Sequence, residues 1–170
     1  GSTGASSDYT VGSLLGWSMA EGRLYVLDVA RGRWETDEVE HMVATLAEQD
    51  RAEFGRYTVV IEDQPGAAGK MWSKRWQRDV LAGFSIELVP PLGSKVWRAD
   101  ALSSTQRKGL VTLVQGDWCA PFVAECSLFG TDFCRHDDQV DSASLGFNFL
   151  SGRTRKSKGS LASAARRQIG

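Results

Sequence analysis

The chain has 170 residues, 42% of them hydrophobic, with six Trp and seven Phe, so a domain of this size can bury a core without a metal or disulfide staple. Charged residues make up 24%, which excludes a wholly disordered chain, a coiled coil and a collagen-like repeat. No apolar run approaches the ~20 residues that span a bilayer, and Gly1–Ser7 carries no basic or apolar signal region, so a soluble, intracellular protein is expected. The net charge is −1, yet residues 151–170 hold Arg153, Arg155, Lys156, Lys158, Arg166 and Arg167 and no acid, leaving a balance of −7 on the rest.

Two β-rich runs come first, Tyr9–Gly16 and Arg23–Val29, joined by a Gly-containing connection that reads as an antiparallel hairpin. Thr36 then serves as the expected N-cap of a helix whose apolar stripe is Val39, Met42, Val43, Leu46 and Ala47, with Asp37, Glu38 and Glu40 in its first turn. Tyr57–Ile61 reads as a short buried strand ending in the polar break Glu62–Asp63–Gln64–Pro65–Gly66. Ala67–Leu81 reads as a helix bearing Trp72 and Trp76, and Phe84–Val89 as a strand stopped by Pro90 and Pro91. Lys95–Lys108 is a further expected helix, Leu110–Val114 a strand, Ala120–Phe129 a short helix, and the last helix runs from near Asp137 to about Leu150. Strands alternating with helices define an α/β fold, a sheet with helices on its faces and a hairpin at one side. The Ser-, Gly-, Arg- and Lys-rich stretch 151–170 is expected to be a mobile basic tail behind a single domain over 1–150.

Cys119, Cys126 and Cys134 fit no zinc-ribbon spacing and read as small core hydrophobes, with a zinc site through His136 as the weaker alternative. Gly66–Ala67–Ala68–Gly69–Lys70 is not a phosphate loop, because Gln64 and Met71 stand where Gly and Ser or Thr are needed. No Gly-x-Ser-x-Gly elbow accompanies His41 or His136, which argues against a serine hydrolase. The tryptophans read as packing residues, Trp72 and Trp76 lying one helical turn apart.

Two acidic groups remain. Glu62 lies at the carboxyl end of a strand, the place where ligand sites gather in α/β sheets; a plain solvated strand end is the alternative. His136–Asp137–Asp138–Gln139–Val140–Asp141 opens a helix, and three acids in five residues exceed what capping needs. Such carboxylates repel unless a cation sits among them, and hard oxygen donors select Mg²⁺ or Mn²⁺. Glu62 with Asp137 and Asp138 would make a site for one or two ions.

Four segments carry a family resemblance: Asp8–Tyr9–Thr10–Val11–Gly12, Arg23–Leu24–Tyr25–Val26–Leu27–Asp28–Val29, Ile61–Glu62–Asp63–Gln64–Pro65–Gly66–Ala67–Ala68–Gly69–Lys70, and His136–Asp137–Asp138–Gln139–Val140–Asp141–Ser142–Ala143. In this order and spacing, over residues 8–150, the chain resembles the C-terminal nuclease domain of the large terminase subunit of tailed bacteriophages and prophages. The resemblance implies a ribonuclease-H-like mixed sheet flanked by helices. It also implies a divalent-metal-dependent endonuclease, holding two Mg²⁺ or Mn²⁺ ions, that cuts concatemeric double-stranded DNA at the start and end of packaging in the bacterial cytoplasm. A terminase ATPase domain, the portal and the small terminase subunit are the implied partners. By the family pattern Glu62 and Asp138 are metal ligands, Asp137 an assistant and Asp141 an outer candidate. The family's first-strand Asp has no counterpart in Gly1–Ser7, so a weak or inactive nuclease is expected, with Asp8 and Asp28 the acids nearest that role. The alternatives are a non-catalytic docking module of the packaging motor and another ribonuclease-H-like enzyme such as a resolvase or integrase.

Overall fold

The computed structural model describes residues 9–63, 66–90 and 93–167, the stretch 153–167 by its backbone alone. The Asp8 lead, Gln64, Pro65, Pro91 and the side chains of the basic stretch lie outside the described residues. In chain order the elements are β1 (Thr10–Ser18), β2 (Arg23–Gly32), α1 (Thr36–Phe54), β3 (Thr58–Glu62), α2 (Gly66–Arg75), β4 (Ser85–Val89), α3 (Lys95–Arg107), β5 (Val111–Leu113), α4 (Cys119–Leu128) and α5 (Asp138–Arg167). A π-helical turn, Trp76–Val80, continues α2. Every element expected from the sequence is present, most ends displaced by a residue or two and β2 running three residues past Val29 to Gly32. The exception is α5, whose backbone stays helical through the basic stretch to Arg167 instead of ending near Leu150.

The chain divides into two compact units, Gly1–Gly12 with Ala30–Gly93, and Ser13–Val29 with Ser94–Gly170. In the first, β3 and β4 pair in parallel, Thr58 opposite Ser85 through Glu62 opposite Val89. Ala47, Trp76 and Leu81 form its core, packed by Val39, Val43, Val59, Ile61, Trp72, Phe84 and Ile86. The Trp72 and Trp76 rings lie 4.5 Å apart, as their spacing of one turn requires. Thr36 opens α1 but does not cap it. Glu35 is the N-cap, and its backbone N–H donates to Glu38 Oε2 at 2.9 Å, because a carboxylate three residues ahead reaches back to an otherwise unpaired donor. The Gly66–Lys70 run is the start of α2, with Gly66 at φ 92° as the chain turns into the helix.

In the second unit β2 lies between β1 and β5. Its neighbour β1 is joined to it by the Met19–Gly22 turn, where the Gly22 N–H donates to the Ser18 carbonyl at 2.8 Å; so short a connection allows only an antiparallel pair. β5 pairs with β2 in parallel, Leu24 opposite Val111 and Val26 opposite Leu113, which makes this sheet mixed. Two hydrogen-bonded neighbours bury Leu24 and Val26 completely. On α5, Val140, Ala143, Ser144 and Phe147 form the buried stripe at spacings of three and four. Gly146 lets this helix close on β1, since a Cβ there would stand 2.6 Å from Leu15 Cδ1, and Phe147 meets Trp17 at 6.1 Å between ring centres.

Two expectations about single residue types need correction. The cysteines are free and none is core: Cys119 and Cys134 are half-buried and Cys126 is exposed, one position round α4 from its buried residues Phe122 and Glu125. Trp97 is exposed rather than packed, because α3 buries the face of Ala99.

Candidate functional site

Glu62 is the last paired residue of β3, half-buried, and the ladder continues one bond further through Asp63 N–H to the Val89 carbonyl at 2.8 Å. Its place at a strand's carboxyl end, expected from the polar break, is therefore the observed one. Asp28 is half-buried on β2.

The other acids stand at the start of α5. The Asp141 N–H donates to the Asp137 carbonyl at 2.9 Å, so Asp137 closes the first turn and Asp138 is its first helical residue. Two of these carboxylates face cationic side chains of α3. Lys95 Nζ lies 2.8 Å from Asp137 Oδ1 and 2.9 Å from Asp141 Oδ2, and Arg98 Nη2 lies 3.6 Å from Asp141 Oδ1. Both carboxylates hydrogen-bond the ammonium and raise the Lys95 pKa, since each favours its charged form. Asp138 is half-buried beside them.

Below this turn lies a feature that sequence reasoning missed. Glu125 of α4, 7% exposed, points into the start of α5. Its Oε1 accepts the backbone N–H groups of Gln139 at 2.7 Å and Val140 at 3.2 Å, while Oε2 accepts Gln139 Nε2 at 2.7 Å. The first N–H groups of a helix have no partner within it, and the dipole there favours an anion. Glu125 is thus an N-cap supplied from another helix. Signals existed for both missed residues. Glu125 is the single charge in the apolar run Cys119–Leu128, and Lys95 is a cation in a helix's first turn, where cations are disfavoured.

Carboxylate oxygens suit a hard divalent ion, but Asp137 and Asp141 already engage cationic side chains. Among the described residues no group of three or more His, Cys, Asp or Glu is placed to hold a metal ion, the aspartates of α5 included. An open depression of about 440 Å³ lies elsewhere, lined by Trp34, Asp37, Glu38, His41 and Met42, and contains none of the expected site residues.

The architecture is mixed α/β, with a carboxylate at the end of a parallel strand and others at the start of a late helix. The chain belongs to the terminase RNaseH-like domain family, whose model matches residues 1–149. It is thereby a terminase domain of the nuclease type. No curated protein matches it. Among the described residues no helix is long and apolar enough to cross a membrane.

Proposed function

We propose that the chain is the endonuclease domain of a viral DNA-packaging terminase, acting on concatemeric double-stranded DNA when packaging begins and ends. The observation that carries this reading is the family match over residues 1–149, together with Glu62 at the end of β3 and Asp138 opening α5. Glu62 and Asp138 are each proposed as a carboxylate ligand for Mg²⁺ or Mn²⁺. When bound, such ions stabilise the attacking and leaving oxygens of phosphodiester cleavage. The protein's own part is to hold these carboxylates on rigid elements, one locked by a parallel ladder and one at a helix start pinned by Glu125. The ATPase domain, portal and small subunit, acting in the host cytoplasm, are the proposed partners of this activity.

The test is cleavage of supercoiled plasmid by the 170-residue chain in Mn²⁺. Expected is slow nicking, the weak activity anticipated for this chain, which vanishes in EDTA and falls at least 100-fold in Asp138→Asn and in Glu62→Gln, the order of loss known for groups that stabilise transition-state charge. Cleavage unchanged in both variants refutes the assignment of residues. No metal-dependent cleavage, with DNA and motor components still bound, would make the chain a docking module instead.

A further inference from the structure

The arginines of the first unit divide into two kinds. Arg51, Arg75 and Arg78 each take a carboxylate, those of Glu48 at 2.6 Å and of Glu40 and Asp79 at 2.7 Å. Arg31, near the end of β2, and Arg33, just past it, take none among the described residues. Both lie instead on one aromatic ring, with Cζ 3.6 Å and 4.4 Å from the centre of Tyr9. Carboxylates follow closely in the chain, but Glu35 and Glu38 are spent on capping α1. Two positions apart in extended chain, the arginines share a face, while a Cβ on Gly32 between them would run into the Trp34 ring. Arg33 is exposed and Arg31 half-buried. Arg31 Nε is closed off from solvent without an acceptor, so the terminal Nη edge of its fork is the part left to meet a partner.

Two guanidiniums on one ring stand within about 8 Å of each other, inside the screening length of physiological salt, and repel. The ring face attracts both, yet stacking leaves their in-plane donors without acceptors. An anion offered to those donors supplies acceptors and offsets the repulsion, and a planar fork matches the oxygens of a phosphate. We propose that Tyr9, Arg31 and Arg33 form a phosphate-anchoring site, in which the ring presents the two guanidiniums to a backbone phosphate of duplex DNA. The site includes neither Glu62 nor the aspartates of α5, and its binding needs no metal ion. It rests on the reading of the chain as a domain that acts on DNA. It positions the duplex without sequence preference, since a phosphate contact reads no base.

The experiment follows a labelled duplex of about 20 base pairs by fluorescence anisotropy in EDTA over a salt series, with plasmid cleavage in Mn²⁺ read separately. Joining Arg31→Gln to Arg33→Gln is expected to weaken duplex binding roughly 8-fold at about 0.1 M salt and to make the log–log slope shallower by about 0.9, the values for one phosphate no longer neutralised. Arg33→Gln alone, at an exposed side chain, should show part of the loss with an unchanged melting midpoint. Arg31→Lys with Arg33→Lys should restore the slope, because the charge returns, but not the full affinity, because the flat forks do not. Unchanged affinity and slope in the double Gln variant overturn the proposal, as does a parent that binds no duplex in EDTA. A lower melting midpoint as the sole change makes the stack a structural one and overturns it too. Inorganic phosphate that raises the melting midpoint of the parent but not of the double Gln variant, with duplex binding equal in both, makes this a free-phosphate site and overturns the DNA assignment. Duplex binding that responds as expected, in a chain that cuts no plasmid, refutes the endonuclease reading alone.

Discussion

Replacing Glu125 by Ala is the sharpest perturbation available, because one side chain satisfies three donors at a buried helix start. Hydrogen bonds to a charged group contribute about 1.5–3 kcal/mol each, and loss of an N-cap costs about 0.5–2 kcal/mol. These terms overlap, and the removed carboxylate also sheds its own desolvation cost. Gln139 Nε2 keeps only the Pro121 carbonyl at 3.4 Å. A net loss of about 3 kcal/mol follows, equivalent to a melting point lower by roughly 6–12 °C in a chain of this size. Glu125→Gln keeps the volume and one acceptor but turns an amide toward donors, and should lose about 1–2 kcal/mol. Urea unfolding followed by circular dichroism measures both, with unchanged slope confirming that the same surface unfolds. A double-mutant cycle with Gln139→Leu should give a coupling of about 1–2 kcal/mol, since the two side chains share a buried bond. If Glu125→Ala stays within about 0.5 kcal/mol of the parent, water serves these N–H groups as well as the carboxylate does, and the tertiary cap is wrong.

Leu81, fully buried in the first unit's core, should lose about 2–5 kcal/mol on substitution by Ala, read from the same unfolding curves. Burial, with the charges of Asp50 and Glu48, pushes the Tyr57 hydroxyl up to about 12. The folded state therefore keeps a proton that the unfolded chain releases near pH 10, so Tyr57 contributes stability that is full below pH 10 and lost as pH rises toward 12. Tyr57→Phe, which also removes the 2.9 Å bond to the Ala47 carbonyl, should cost about 0.5–1.5 kcal/mol at pH 7 and flatten that alkaline decline in melting temperature; an identical decline refutes it. Deleting residues 151–170, with their six basic side chains, should weaken binding to duplex DNA and make the log–log salt slope shallower by about 0.9 for each phosphate that is no longer neutralised, whereas an unchanged slope would remove the stretch from DNA binding.

Local chemistry is legible along the chain. Hydrophobic period separates strands from helices, and Gly and Pro mark the ends, because these signals depend on neighbours within a few residues. The same locality puts Glu62 at a strand terminus and Asp138 at a helix start, and four short motifs in order carry the family. Where local signals compete, the sequence misleads. Thr36 has the chemistry of a cap for α1, but Glu35, with Glu38 reaching back, holds that place. The break expected near Leu150 does not interrupt α5, since small and basic residues are compatible with continued helix.

Pairing between distant segments is a different matter. That β2 lies between β1 and β5, while β3 pairs with β4, depends on hydrogen bonds between strands whose sequences are equally apolar. Three acids in five residues announce a cation, and donor chemistry makes a divalent ion the natural candidate; only the packing of α3 on α5 brings Lys95 and Arg98 to Asp141. Glu125 is likewise invisible as a cap, being fourteen residues from the N–H of Gln139 that it accepts. Composition and period therefore determined the elements and the chemical type of the acidic groups, and four motifs in order pointed to the family. Tertiary structure decided which charges are already neutralised, because electrostatic partners are chosen by distance in space and not by separation along the chain.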